Sequence, residues 1–366
     1  MQETPFTTDK MFAHADRIAE WQRGRLPPPV TVELDLTNLC NHACPGCTFS
    51  YLVNISRDSI PMELAESIVD QLADCGVRAV TFSGGGEPLV YGPERVLSLM
   101  ERITARGMDT ALITNGSLLN DERFMSLCKW VRVSLDGYDA DTFARFHGRN
   151  DKEFAKVVEG LHLMGQIAIR RRNAGLPCAT LGAGFLTDAG TLGRGDFVKM
   201  AEFCAGIDGL DYVQFRPLVV NMVADATLQG GGAAIDNDTL QGVLREYQAA
   251  KQYARDDFKV LMFAGKYQTL AQPGFGKTYD KCLGHFLEAV VSADARVYIC
   301  CHTQGQERFC LGDLRQNTFD EVWRSERAKS VYEATDPRYH CPPVCRMHMQ
   351  NLSLQSIQEA MHPNFI

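Results

Sequence analysis

Residues 31–50, TVELDLTNLCNHACPGCTFS, place a short β-rich run directly before three closely spaced cysteines. Cys40, Cys44 and Cys47 follow the pattern Cys-x3-Cys-x2-Cys, and a Pro-Gly pair forces a tight turn between the last two. Thiolates from one short loop can wrap a compact iron–sulfur cluster. A cubane of four irons needs four ligands, so three thiolates leave one iron open to a further ligand.

A zinc knuckle is the alternative interpretation of the same loop. Zinc prefers four nitrogen or sulfur ligands, and His42 could be the fourth. His42 lies inside the loop between Cys40 and Cys44, which is a cramped position for closing a tetrahedron. The spacing therefore favours the cluster.

The overall composition limits the class of protein. The chain has 366 residues, of which 45% are hydrophobic, so it can bury a large core and is not wholly disordered. Its net charge of −8 argues against binding driven by polyphosphate, so we expect no nucleic-acid partner. The sequence lacks a run of ~20 apolar residues and a signal-peptide core, so we expect a cytoplasmic protein without a membrane partner.

The chain contains thirteen cysteines, and their distribution is informative. In a reducing cytosol, clustered cysteines usually indicate metal binding or catalysis. Six crowd the last quarter of the chain, in addition to the three near its start. The remaining four are scattered singly among apolar residues, where we expect plain core packing: Cys75, Cys128, Cys178 and Cys204.

Short β-rich runs alternate with amphipathic helical stretches between about residues 30 and 220. This alternation predicts right-handed crossovers and a parallel sheet. Six βα units predict an α/β fold, a partial (β/α)6 TIM-type barrel with its chemistry at the C-terminal ends of the strands. The predicted strands are Thr31–Thr37, Ala79–Ser83, Thr110–Thr114, Val131–Leu135, Ala179–Thr187 and Tyr212–Pro217.

The sequence predicts four regions: an N-terminal segment (1–29), the partial barrel (30–220), a linker (221–280) and a small C-terminal α+β domain (281–366). The linker opens with a glycine-rich stretch, Gln229–Ala234, and contains a predicted helix, Asp238–Arg255. The C-terminal domain contains a predicted hairpin over residues 287–300, with its turn at Asp294–Ala295, and a helix near Phe319–Glu333.

Further motifs follow the predicted strands in order, and together with the cysteine loop they resemble the radical S-adenosylmethionine (SAM) superfamily. They are SGGGEP at Ser83–Pro88, ITNG at Ile113–Gly116 and VSLDG at Val133–Gly137. The resemblance implies a 4Fe–4S cluster whose open iron chelates the amino and carboxylate groups of SAM. Reduction by a partner such as flavodoxin or ferredoxin then cleaves SAM to a 5′-deoxyadenosyl radical.

The same resemblance implies a set of SAM-binding residues. The SGGGEP segment would receive the methionine amino group, and the serine of VSLDG commonly lies near the SAM ribose or carboxylate. His147 falls where the family usually has a carboxylate-binding arginine, so Arg145 and Arg149 are both candidates. Arg216 belongs to the stretch FRPL at residues 215–218. Its side chain either points toward the cavity of the predicted barrel or lies on the surface. The full predicted set is Gly85, Gly86, Glu87, Asn115, Ser134, Arg145, Arg149 and Arg216.

The C-terminal cysteines resemble the ligand pattern of twitch and SPASM extensions, which carry auxiliary 4Fe–4S clusters. Six cysteines fall short of two such clusters, so one auxiliary cluster is predicted. Cys301 and Cys310 are outside the predicted set of four ligands, and three roles are open for each. One role is to replace one of the four ligands, another is to donate a hydrogen atom to a substrate radical, and the third is plain core packing. A structural zinc site involving His302, His340 and His348 is the alternative. The predicted ligands are Cys282, Cys300, Cys341 and Cys345.

These features predict a radical SAM enzyme, an oxidoreductase, isomerase or lyase, that abstracts hydrogen from a small hydroxylated metabolite. A sugar, aminocyclitol or natural-product intermediate would be oxidised, epimerised or subjected to elimination. The alternative is a SPASM-type maturase that modifies a peptide or protein. It is disfavoured because only about thirty residues precede the first strand and one auxiliary cluster is predicted. A non-catalytic iron–sulfur or zinc scaffold is a third hypothesis, and the open-iron spacing and GGGEP argue against it.

Overall fold

A computed structural model describes residues 7–188, 190–218 and 234–361. The strands are β1 Thr31–Leu34, β2 Ala79–Phe82, β3 Asp109–Thr114, β4 Cys128–Ser134, β5 Thr180–Thr187, β6 Tyr212–Pro217, β7 Lys259–Met262, β8 Glu288–Val291, β9 Arg296–Tyr298 and β10 Cys310–Asp313. The α-helices are α1 Ala15–Gln22, α2 Met62–Cys75, α3 Pro93–Ala105, α4 Arg123–Leu127, α5 Ala140–His147, α6 Asp151–Asn173, α7 Asp196–Ala205, α8 Asn237–Ala250, α9 Ala264–Leu270, α10 Phe319–Trp323, α11 Glu326–Ala334, α12 Pro337–His340 and α13 His348–Gln358.

All ten strands form one sheet in the order β10-β9-β8-β1-β2-β3-β4-β5-β6-β7. Strands β1 to β7 are parallel to their neighbours, and β8 is parallel to β1, with Thr31 opposite Glu288. Strands β9 and β10 add on as antiparallel neighbours. The α/β class and the parallel sheet are confirmed, and the C-terminal hairpin extends the same sheet.

Two differences from the sequence analysis concern the region between the barrel and the hairpin. A seventh parallel strand, β7, lies within the predicted linker and pairs with β6. The predicted helix there is α8, which ends at Ala250 and continues into a 3-10 turn, Lys251–Tyr253. The glycine-rich stretch Gln229–Ala234 lies outside the described residues except for its last residue.

Helices cover the outer side of the sheet because each carries an apolar stripe. In α2 the residues Ala65, Ile68, Val69 and Leu72 recur with helical spacing and are all buried. Gly76 ends this helix in the left-handed conformation, with φ of 94°. The predicted helix near Phe319–Glu333 is divided into α10 and α11, each capped by its own hydroxyl side chain. None of the described helices is long and apolar enough to cross a membrane.

Candidate active site

A cavity of about 1280 Å³ runs along the sheet, from the cysteine loop after β1 to the amino ends of the strands. Residues of strands β1 to β7 and residues of the C-terminal region line it together. Its lining includes the following chemically functional residues: Cys40, Cys44, Cys47, Glu87, Asn115, Arg132, Ser134, Asp136, Arg216, Lys266, Cys301, Cys345 and Arg346. The two groups of cysteines that are far apart in sequence therefore face one space.

The thiols of Cys40, Cys44 and Cys47 are half-buried and lie close together. Burial raises the pKa of Cys40 to about 11. The pKa of Cys44 is raised first by burial and then by the charges that Cys47 and Cys40 would carry as thiolates. Three adjacent buried thiolates are unfavourable unless a positively charged centre neutralises them. The donor set therefore fits an iron–sulfur cluster.

Asn54 fixes the first cysteine of the loop, and the sequence analysis missed it. Its Oδ1 accepts from the Cys40 backbone N–H at 3.1 Å, and its Nδ2 donates to the Cys40 carbonyl at 3.2 Å. Asn54 has φ of 60°, a left-handed conformation that asparagine tolerates better than most residues. An asparagine fourteen residues downstream gives no local signal for this contact.

The glycines after β2 pack directly against the cysteine loop. A Cβ at Gly85 would lie 2.2 Å from Asn38 Oδ1, and one at Gly86 would lie 2.2 Å from the Leu39 carbonyl oxygen. The Gly86 N–H donates to the Thr37 carbonyl at 3.0 Å. These glycines therefore allow the loop after β2 to lie directly against the backbone that leads into Cys40.

Glu87 is buried, and its carboxylate accepts three hydrogen bonds from the protein. Thr114 Oγ1 donates at 2.6 Å, the Asn115 N–H at 2.7 Å and the Leu89 N–H at 3.1 Å. Burial raises the pKa of Glu87, and these donors oppose that rise. Three of the roughly four lone-pair sites are used, which leaves about one for a ligand. The carboxylate joins the turns after β2 and β3 whether or not it also contacts the predicted SAM amino group.

The other predicted SAM-binding residues divide into two groups. Asn115, Ser134 and Arg216 line the cavity. Arg145 instead forms an ion pair with Asp188, and it is absent from the lining of the cavity. Its predicted role is therefore not favoured by the geometry.

Arg149 donates to the Asn41 carbonyl on the cysteine loop and is exposed. It lies near Cys40, whose pKa its charge lowers. Arg149 therefore supports the loop from outside, and it too is absent from the cavity lining.

His147, at the position where an arginine was expected, lies beside the cysteine loop and lines the cavity. Its Nδ1 is 3.0 Å from His42 Nδ1 and 3.6 Å from Cys44 Sγ, while its Nε2 is 3.6 Å from Asp136 Oδ2. Burial lowers the pKa of His147 and Asp136 opposes this. Among the described residues, His42, Cys44 and His147 offer ligand atoms within 4.8 Å of one another, a grouping that omits Cys40 and Cys47.

The C-terminal cysteines also converge. The pKa of Cys282 is raised by burial and then by the charges of Cys345 and Cys341, and that of Cys341 rises to about 12 for the same two kinds of reason. A hydrogen bond with the Cys301 thiol, followed by burial and the charges of Cys301 and Cys345, raises the pKa of Cys300. The predicted four ligands and Cys301 therefore lie in one buried group, whose chemistry fits a second cluster.

The two spare cysteines have different positions. Cys301 lines the cavity, with its Sγ 3.2 Å from Arg346 Nη1. Cys310 begins β10, and its Sγ contacts the Gly312 carbonyl at 3.6 Å, away from the residues that line the cavity. The hydrogen-donor role predicted for Cys310 is not favoured by this position, whereas Cys301 keeps it as a prediction.

Lys277 supports the last pair of cysteines. Its Nζ donates to the carbonyls of Pro337, Cys341 and Pro342 at 2.7–2.9 Å. Burial lowers the pKa of Lys277, and the neighbouring thiols of Cys341 and Cys345 oppose this. One buried ammonium thus holds the loop that carries two predicted ligands.

Fold and site together define an iron–sulfur enzyme of the radical SAM class. Residues 34–181 match the family model of the radical SAM superfamily, and residues 282–348 match that of the SPASM iron–sulfur cluster-binding domain. The chain is a radical SAM protein with a C-terminal SPASM-type domain. Its cofactors are a SAM-binding 4Fe–4S cluster, an auxiliary cluster and SAM.

Several characterised proteins are similar to this chain. A PqqA peptide cyclase of Xanthomonas euvesicatoria is 32% identical over 40% of this chain, and the match spans only 42% of that relative's length. A PqqA peptide cyclase of Rhizobium meliloti is 22% identical and covers 88% of this chain and 80% of the relative. SuiB of Streptococcus suis, solved with its precursor peptide SuiA, superposes with a TM-score of 0.63 at 13% identity, over 91% of this chain and 73% of SuiB.

These relatives correct one prediction. The prediction of a small hydroxylated metabolite as substrate is wrong, because the relative that covers 88% of this chain is a PqqA peptide cyclase, and SuiB, with a similar fold, is solved with a precursor peptide. The prediction relied on the short segment before β1 and on the number of auxiliary clusters. Neither the length of that segment nor the number of clusters identifies a substrate, and Thr8, Met11 and His14 of the segment line the cavity.

Proposed function

We propose that this protein is a SPASM-type maturase that uses SAM to modify a peptide. The observation that carries the proposal is that thiols of both cysteine groups line one cavity. The peptide cyclase relative that covers 88% of the chain supports a peptide as the substrate. A substrate in this cavity would lie between the residues of the two cluster-binding regions.

The roles of the chain's own residues follow from their positions. Cys40, Cys44 and Cys47 would hold the first cluster, which, when loaded, supplies the electron that cleaves SAM to a hydrogen-abstracting radical. Ser134 and Arg216 are placed to bind polar groups of SAM or substrate at the cavity wall.

The size of the cavity suits this function. Sites for small molecules typically measure about 300–1,000 Å³. The cavity here, at about 1280 Å³, is larger than that range, as a site that takes SAM and a second substrate requires.

Incubation of anaerobically reconstituted protein with SAM, a chemical reductant and pooled synthetic peptides tests the proposal. We expect 5′-deoxyadenosine together with an equivalent amount of peptide of altered mass, detected by liquid chromatography and mass spectrometry. Cys44→Ala should abolish both products, whereas Cys310→Ala, outside the cavity lining, should retain them. Formation of 5′-deoxyadenosine without any modified peptide would contradict a peptide substrate, and its absence would favour a scaffold.

A further inference from the structure

Three cationic side chains converge on the cavity from different elements: Arg132 on β4, Arg216 on β6 and Lys266 on α9. The intervening strand β5 has glycines at the facing positions, with Gly182 opposite Arg132. A Cβ at Gly184 would lie 3.2 Å from Arg216 Nη2 and 3.8 Å from Arg132 Cδ. The missing side chain at Gly184 thus gives the two arginines room to approach each other, while the space at Gly182 is occupied by the Tyr212 ring.

These cations lack carboxylate partners within the part of the chain that the structure describes. None of the three forms an ion pair there, and the Nε atoms of Arg132 and Arg216 are buried without a hydrogen-bond acceptor. Arg132 Nη1 has only the Gln214 amide oxygen at 3.5 Å, and Lys266 Nζ lies over the Phe263 ring. Unpartnered guanidinium nitrogens in a buried wall are donors that can serve a ligand.

Arg346, beside the same cavity, provides the contrast. Its guanidinium pairs with Glu33 at 2.6 Å and Glu288 at 2.7 Å, so its charge is neutralised within the protein. The protein therefore pairs Arg346 with two carboxylates and, within the described residues, leaves Arg132, Arg216 and Lys266 without an acid.

Mutual repulsion is the physical consequence. Burial and the charges of Arg216, Arg346 and Arg132 lower the pKa of Lys266 to about 7. Burial, followed by the charge of Arg216, lowers the pKa of Arg132 to about 9. Asp136 attracts both arginines, but among the described residues its carboxylate contacts other groups: Oδ1 accepts from the Leu186 N–H at 2.6 Å, and Oδ2 is 3.6 Å from His147 Nε2. An anion bound among the three would relieve this repulsion.

We propose that Arg132, Arg216 and Lys266 bind a carboxylate of the peptide substrate and so select acidic peptides. The proposal rests on the proposed function, since it takes the substrate to be a peptide. A peptide carries carboxylates only on Asp and Glu side chains and at its C-terminus, so these are the candidate ligands. Arg132 precedes Ser134 by two residues on the same face of β4, which places it about 6.6 Å nearer the amino end of the strand. Arg216, opposite Leu186 on β5, lies instead toward the carboxyl ends of the strands, whereas Ser134 is opposite Gly184. The arginines therefore lie on both sides of the level of Ser134, the residue predicted to contact SAM.

Peptide binding to anaerobic holoprotein with SAM distinguishes the sources of the carboxylate. Three hexapeptide pools share flanks randomised over residues other than Asp and Glu: central Glu with an amidated C-terminus, central Gln amidated, and central Gln with a free C-terminus. Bound peptide is separated by rapid filtration and quantified by mass spectrometry. We expect at least tenfold more retention of one carboxylate-bearing pool than of the neutral pool. Preference for the first pool identifies a side chain, and preference for the third identifies the C-terminus.

Variants assign the preference to these residues. Arg132→Gln and Lys266→Gln should reduce the preference at least tenfold, whereas Arg170→Gln, at an exposed position on α6, should leave it unchanged. SAM affinity, measured by equilibrium dialysis, should change less than twofold in both cavity variants. The thermal midpoint of each cavity variant without ligand should be equal to or above that of the wild type, because a repelling charge is removed.

Three results would overturn the proposal. Equal retention of all pools would show that peptides bind without recognition of a carboxylate, which leaves the proposed function intact. Retention of none would refute the proposed function as well. Weakened SAM binding in Arg132→Gln, with the peptide preference intact, would assign the cations to the carboxylate of SAM.

Discussion

Replacement of Gly86 by alanine should empty the first cluster site. The added Cβ would lie 2.2 Å from the Leu39 carbonyl oxygen and 2.7 Å from the Asn38 carbonyl carbon, whereas real Cβ contacts are essentially never under 3.0 Å. Both atoms belong to the backbone, so no side chain can rotate away. The segment that carries Cys40 has to move.

The cost follows from the bonds that this movement breaks. The Gly86 N–H bond to the Thr37 carbonyl and the Glu87 N–H bond to the Leu39 carbonyl each contribute about 1 kcal/mol. Alanine restores roughly 0.4–1 kcal/mol by restricting the unfolded chain. We therefore expect about 1–2 kcal/mol lower stability of the metal-free protein, and loss of about four irons per chain after reconstitution.

Iron and sulfide analysis with urea unfolding measures both effects. Gly242→Ala is the matched control, because a Cβ there would lie 3.9 Å from Arg245 Nη2 within α8. The control should load both clusters and gain about 0.5–1 kcal/mol from its helical position. If Gly86→Ala binds as much iron as the wild type and unfolds at the same urea concentration, the glycines do not position the cysteine loop.

Three further predictions concern the supports of the site. Lys277→Met removes the donor to three carbonyls. The variant should lose the auxiliary cluster and keep the first one, measured as a loss of about four irons per chain. Thr114→Val should destabilise the protein by about 1.5–3 kcal/mol at pH 8, because ionised Glu87 loses a 2.6 Å hydrogen bond. That bond opposes the raised pKa of Glu87, so urea unfolding should show the loss shrinking as the pH falls through this raised pKa, above the ordinary value of 4.5; a loss independent of pH would contradict it. Arg145→Gln should bind SAM within twofold of the wild type in equilibrium dialysis, since Arg145 pairs with Asp188; a tenfold loss would restore its predicted role.

The strands and the cysteine loop could be predicted because their signals are local. All six strands predicted between residues 30 and 220 are present, as is the hairpin formed by β8 and β9. The four-residue strand β7, KVLM, gave too short a pattern to distinguish it from a linker. Its place is decided by pairing with β6, which the local sequence does not encode.

The electrostatics of the cavity could not be predicted, because they depend on contacts between distant segments. Arg346 meets Glu33 across 313 residues, and this pairing separates it from the cations that lack a partner. Arg145 appeared suitable for SAM because of its position after β4, yet Asp188 on a later loop holds it outside the cavity. Sequence spacing identified which residues carry chemistry, and the fold determined which of them meet.

Electron paramagnetic resonance of the dithionite-reduced holoprotein, with and without SAM, tests the central claim most directly. We predict that SAM alters one component of the spectrum, that Cys44→Ala removes this component, and that Cys345→Ala retains it. A spectrum that SAM leaves unchanged while both clusters are loaded, or a SAM-sensitive component that persists in Cys44→Ala, would contradict the account.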